Sequence, residues 1–399
     1  MYLSEIEAPV APQDMQALAE AGHAFAQHYL GVSYHLGLNV EQNNEKAAYW
    51  WGRAADQHHR EAQFLLGQFY SMGNGVAQDL AKAAGLFGLA AGQGHCQAQI
   101  NLAGMLIAGQ GVDQDEGQAR RLLALAANDH GSAEAAAALA RMYEDGVGGN
   151  ADDAQAYEWY CCAVRHQPNH VMAAYGLSMM LYHGRVPGHE PVSALAWLRH
   201  AGQLGYPMAQ ALLAEIHIRG EFGAPDYVEA RRWAALGAAN NMPHAQYWLG
   251  VLHGHGVDGQ PDYPLCLQYL GAAANAGLSQ ATFALGMMYL HGTGVEKDAR
   301  RALQYFIALA DQDNVEAMFL AASALETELL RPAEAVEWYR RAANAGHGPS
   351  QYNLAALYHK GPAQLQDLAL ARSWYQACVA SSKIEEHAKM ARSALAELA

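Results

Sequence analysis

The sequence is poor in several features that would each have pointed to a function. It holds five cysteines in 399 residues, Cys96, Cys161, Cys162, Cys266 and Cys378, and no C-x-x-C pair. That spacing fits no disulfide framework, and reduced thiols fit a cytoplasmic protein. Lys and Arg number 24 against 39 Asp and Glu, a formal net charge of −15. So acidic a chain argues against general nucleic-acid binding and against an anionic membrane surface, since both need clustered basic residues. No apolar run approaches the ~20 residues that span a bilayer. The start, MYLSEIEAPVAPQDM, has neither the basic nor the apolar part of a secretory signal. A cytoplasmic location without membrane insertion is therefore expected.

Catalytic and cofactor motifs are missing as well. No serine, cysteine or carboxylate stands in a G-x-S-x-G, Gly-rich phosphate-loop or H-E-x-x-H context. Histidine is frequent, at 20 residues, but no H-x-x-x-H falls on one helix, and a zinc site needs three or four converging ligands. His253 and His255 are two apart and do not face each other on a helix. The expectation is a protein that is not an enzyme, binds no metal and uses no cofactor, with its histidines at helix ends.

What the chain does have is a period. Within residues 281–316, Ala281, Leu285 and Tyr289 share one helix face. Gly286 leaves room there for a close helix neighbour. The run Gly292-Thr-Gly-Val-Glu-Lys-Asp298 breaks the helix, and a second helix follows with Ala302, Tyr305 and Leu309 on one face. The framework alanine recurs at Ala26, Ala62, Ala98, Ala135, Ala173, Ala209, Ala245, Ala281 and Ala317, with Ser350 in the tenth place; six of the nine steps are 36 residues. In the second helix a small residue recurs from Ala47 to Ala371, and a large one follows three places later, including Trp50, Trp159, Trp197, Trp233, Trp338 and Trp374. One hairpin cannot bury its apolar faces alone, so a fixed period of this length means stacked repeats with a continuous core. Trp197 and Trp233 are expected to be buried in it.

The pattern A-x-x-x-L-G-x-x-Y-x-x-G-x-G-V-x-x-D-x-x-x-A-x-x-W-x-x-x-A-A resembles the Sel-1-like repeat, a relative of the tetratricopeptide repeat. Residues 62–94 and 281–310 match it closely, and the resemblance covers about residues 14–380. It implies an all-α, right-handed α/α superhelical solenoid of about ten Sel-1-like helical hairpins. It also implies an adaptor that assembles other proteins, in many cases bacterial ones. A second reading is an immunity-type binder that neutralises one target protein. A third comes from a cysteine-rich branch of the family that binds or hydrolyses penicillins, and the paired cysteines of that branch are absent here.

The domain plan that follows is a disordered tail over residues 1–12, a repeat array over 13–381, and a capping helix over 382–399. Residues 13–23 read as the second helix of a capping half-repeat. Ser382-Lys-Ile-Glu385 reads as a capping box, opening a helix with Ile384, Ala388, Ala391, Leu395 and Leu398 on its apolar face.

By analogy with related arrays, the first helix of each repeat lines the concave face. Two places after the framework alanine stand Tyr175, Tyr247 and Phe283, an aromatic ladder that can equally pack between repeats. Ten places after it, four successive repeats carry His183, Arg219, His255 and His291. This cationic stripe begins where an acidic patch of Glu134, Glu144 and Asp145 ends. Cations at helix C-termini gain ~0.3–1 kcal/mol from the macrodipole, which accounts for each residue singly but not for their confinement to consecutive repeats. Packed helices lie ~8–10 Å apart, too far for the rungs to converge on a metal but suited to a chain lying along a groove. Tyr175, Tyr182, His183, Arg219, Tyr247, His255, Phe283 and His291 are therefore the candidate contacts for a protein or peptide partner carrying carboxylates. Its affinity is expected to rise as pH falls through ~6.5, the ordinary histidine range.

Overall fold

A computed structural model describes residues 12–188, 190, 192–257, 259–381 and 385–398. Among them are 22 α-helices and no strand, and the helices pack as consecutive pairs. The expected tail, apart from Pro12, lies outside the described residues, as do Ser382, Lys383 and Ile384. The helices form two compact units that divide between Leu204 and Gly205. The first unit opens with helix Pro12–Glu20 and continues through five hairpins to helix Ser193–Gln203. The second runs from helix Pro207–Arg219 through five hairpins and closes with helix Glu385–Glu397.

The repeat register explains the core of both units. All nine framework alanines and Ser350 are buried, as is the small residue of every second helix from Ala47 to Ala371. Gly286 permits the close approach expected of it: a Cβ there would lie 2.6 Å from Cε1 of Phe306 on the second helix of the same repeat. The acidic residue after the loop caps the second helix. Asp79, Asp115, Asp152, Asp226, Asp262 and Asp298 each accept from the backbone N–H three residues on, filling one of the bonds that a helix start leaves open. The loop glycines are structural. Gly111, at φ +70°, packs so closely on the start of helix Leu80–Gly92 in the preceding repeat that a Cβ would lie 2.2 Å from the carbonyl carbon of Leu80.

The tryptophan slot differs from expectation. Trp233 is buried, but Trp197 is only partly so. The deepest place in the second helix lies one residue further along, four after the small residue. Trp51, Phe87, Leu123, Tyr160, Leu198, Ala234, Leu270, Phe306, Tyr339 and Tyr375 occupy it, and all are buried. One residue is 100° of helical rotation, so the neighbouring slot still touches the core while leaving part of a large ring in solvent. Trp233 goes deeper because the core place beside it holds only Ala234.

A polar ladder joins neighbouring repeats. Gln27 and Gln63, each next to a framework alanine, are buried and donate to the carbonyls of Ala19 and Ala55. Their own side-chain oxygens accept from Gln57 and Gln93 at 2.7 Å, thirty residues on. Gln99 donates to the carbonyl of Ala91, but its Oε1 is buried without a protein partner. The residue in the donor's place is Asp129, a carboxylate that cannot donate. Asp129→Gln is expected to add this rung and remove a negative charge from a helix C-terminus. Both changes stabilise, by about 1 kcal/mol together, read as a higher urea midpoint at unchanged slope.

Repeat nine replaces the glycine loop with a π-helical turn, Ala324–Glu328, held by the hydroxyl of Tyr339 donating to Glu326 at 2.9 Å. Cys266 and Cys378 are buried in their small-residue slots. All five cysteines are free, and burial pushes the Cys266 thiol up to about 11.

Candidate functional site

The candidate contacts lie on the first helices of repeats five to eight. In the first unit, Tyr175 and Tyr182 are partly buried on helix Val171–Tyr182, and His183 caps that helix, exposed. The Tyr182 ring meets His183 edge-on at 5.2 Å. In the second unit, Arg219, His255 and His291 are the last residues of helices Pro207–Arg219, Pro243–His255 and Ser279–His291, and all three are exposed. The same place in repeats one and two holds Leu36 and Met72, also exposed. The slot is exposed in all ten repeats, and it holds His or Arg in repeats five to eight, against Asp145 in repeat four and Thr327 in repeat nine.

The cations are not equivalent. Arg219 pairs with Glu215 one turn back at 2.5 Å and with Glu221 at 3.8 Å. Tyr247, on the next first helix, lies close enough to feel this pair: burial raises its phenol pKa, Glu215 adds to the rise and Arg219 offsets it. No acidic partner stands beside His255 or His291 among the described residues. The acidic patch is largely neutralised. Glu144 accepts from Tyr160 at 2.8 Å and pairs with Arg185 at 2.6 Å, Arg185 also binds Asp153, and Asp145 pairs with Arg141 at 3.3 Å.

The aromatic ladder is partly spent on packing. Phe64 stacks on His95 with centroids 4.2 Å apart, and Phe283 meets Phe306 edge-on at 6.0 Å. Tyr247 and Phe283 nevertheless come together around a pocket of about 530 Å³ in the second unit, lined also by Ser279, Gln280, Ala284 and Asn314.

Sequence reasoning missed what many histidines do. His59, His95 and His170 stand at the N-caps of first helices, where Nδ1 accepts from the backbone N–H of Ala62, Ala98 and Ala173 at 3.2, 3.1 and 3.2 Å. This fixes the proton on Nε2, and in His95 that nitrogen donates to Glu61 at 3.1 Å. Hydrogen bonding to His95 in turn lowers the Glu61 pKa. Among the described residues no group of three His, Cys, Asp or Glu is arranged to hold a metal ion, and no helix is long and apolar enough to cross a membrane.

Paired helices in fixed register, buried framework alanines and glycine loops seated on the preceding repeat define an α-solenoid of helical hairpins. The chain belongs to the Sel1 repeat family, which matches ten segments: residues 24–59, 60–95, 96–129, 133–167, 171–206, 207–242, 243–278, 279–314, 315–347 and 348–377. Proteins built of these repeats are generally non-catalytic scaffolds for protein interaction. The chain is similar to c5321, a protective antigen of uropathogenic Escherichia coli with an SLR fold. The two are 28% identical with a TM-score of 0.77, over 93% of this chain and 79% of that one. A Sel1 repeat protein from Oxalobacter formigenes is 29% identical with a TM-score of 0.60, over 69% of this chain and 79% of its own. No curated protein matches the chain.

Proposed function

We propose that this chain is a non-enzymatic bacterial adaptor of the cytoplasm, which binds an acidic segment of a partner protein along the first helices of its repeats. The observation that carries the reading is in the second unit. There, exposed His255 and His291 end the two helices that also supply Tyr247 and Phe283 to one pocket. Among the described residues no carboxylate pairs with either histidine, whereas an acid approaching Arg219 competes with Glu215 and Glu221. Tyr175, Tyr182 and His183 hold the equivalent places on a first helix of the first unit.

The experiment is recovery of the partner from the native host on immobilised chain, followed by titration of the purified partner against His255→Glu and His291→Glu. Both positions are exposed, so the variants fold. Each charge reversal is expected to weaken binding about tenfold, which corresponds to ~1.4 kcal/mol. Unchanged affinity in both would move the interface to another surface.

A further inference from the structure

The pocket in the second unit has a composition that narrows what it can hold. Its walls are Tyr247 and Phe283, the same place in two successive repeats, and none of its six lining residues carries a formal charge. One lining residue, Ala284, stands three places after its framework alanine, where the flanking repeats carry the larger Trp248 and Leu320. About 530 Å³ exceeds the volume of any single side chain, and it lies in the range of sites that bind small ligands.

The polar groups at the pocket have a definite sense. Asn314 caps helix Val315–Ser323, its Oδ1 accepting from the N–H of Ala317 at 2.9 Å. With the oxygen engaged in the cap, its two amide N–H groups are the uncommitted donors it offers a ligand. The side chains of Gln280 and Ser279 have no hydrogen-bond partner among the described residues. A neutral pocket with aromatic walls, a committed donor and an unused amide fits a large apolar side chain together with the peptide carbonyl beside it. Aromatic rings pair with offset or edge-on geometry at centroid distances of ~4.5–7 Å, which two aromatic walls can provide.

The distance to the cations sets a spacing. His255 follows Tyr247, and His291 follows Phe283, by eight residues on one helix. At ~1.5 Å per residue that is ~12 Å. An extended chain covers it in about three to four residues at ~3.3 Å each.

We propose that the pocket takes one aromatic side chain of an extended partner segment, whose Asp or Glu three to four residues away reaches His255 or His291. The proposal rests on the adaptor reading above and gives that adaptor's ligand a pattern. Asn314 donates to the main-chain carbonyl next to the aromatic residue, and Gln280 pairs with the following peptide group.

The test is selection of a random 12-residue peptide library against the full-length chain, with enriched peptides then titrated by fluorescence polarisation. Two variants probe the pocket. Ala284→Trp fills it with the residue that Trp248 already places in the same slot of the preceding repeat. Asn314→Asp keeps the cap acceptor for Ala317 and removes the donors. The expected result is enrichment of an aromatic residue with a carboxylate three to four places away. Affinity should fall at least tenfold in Ala284→Trp and several-fold in Asn314→Asp. Peptides weakened by His255→Glu and His291→Glu but indifferent to Ala284→Trp would overturn the pocket and leave the adaptor reading standing. Peptides indifferent to all four variants would overturn both, and enrichment without an aromatic residue would overturn the proposed pattern.

Discussion

Trp233→Ala is expected to cost about 3–5 kcal/mol of stability, the usual loss for deleting a large aromatic side chain from a packed core, and Trp197→Ala less than half of that. The two tryptophans occupy the same place in successive repeats, so a difference between them isolates burial. Trp233 is 2% exposed, with Ala234 beside it in the deep slot. Trp197 keeps part of its ring in solvent, while Leu198 fills the deep slot of its repeat. Because each repeat leans on its neighbours, the loss at Trp233 should spread to the adjoining hairpins of the second unit. Trp233→Phe should recover most of the loss. It refills much of the volume and removes a buried indole N–H that has no acceptor, a burden of about 1–3 kcal/mol. Urea titrations of the three variants check this, and equal losses for the two Trp→Ala changes would sink the assignment of the deep slot.

That off-by-one shift shows how far the sequence alone could be read. The framework alanines were legible because a buried small residue is required wherever two helices touch, and the period repeats the requirement ten times. The deep slot was not, because tryptophan draws the eye and two adjacent helical places point within 100° of each other. At the deep slot the residue ranges from Trp51 to Ala234, so only packing identifies it. The histidine caps were hidden by a preference rule. N-caps are sought among Ser, Thr, Asp and Asn, yet the capping His59, His95 and His170 all stand three places before the framework residue, as do His23 and His347, whose side chains make no cap bond. That register was the available signal. The pairing of Arg219 with Glu215 is visible as an i, i+4 spacing, whereas its link with Glu221 depends on how the following loop folds back. The pocket is lined by a small residue, Ala284, together with aromatic places on different hairpins, and no single-repeat pattern contains that information.

Acid should weaken the first unit through His28, by about 3 kcal/mol between pH 7 and pH 4. His28 packs against His59 of the next repeat with ring centroids 4.6 Å apart, and its Nδ1 is buried without a partner. Burial, reinforced by the charge of a protonated His59 and opposed by Glu61, lowers its pKa from 6.5 to about 4. The sign follows from proton counting. The folded pKa lies below the unfolded one, so the unfolded chain binds the extra proton first. The stabilisation is complete above pH ~6.5 and is lost progressively as pH falls toward ~4. At ~1.4 kcal/mol per tenfold change in proton affinity, that interval is worth about 3 kcal/mol. His28→Phe supplies the control, since Phe64, Phe283 and Phe319 already occupy this place in other repeats. The variant should match or exceed the parent at pH 4 and lose less between pH 7 and pH 4. The measurements are urea titration at both values and hydrogen exchange in helices Ala24–Leu36 and Asn44–Ala55. An identical pH dependence in parent and variant would show that His28 accepts its proton without cost to the fold.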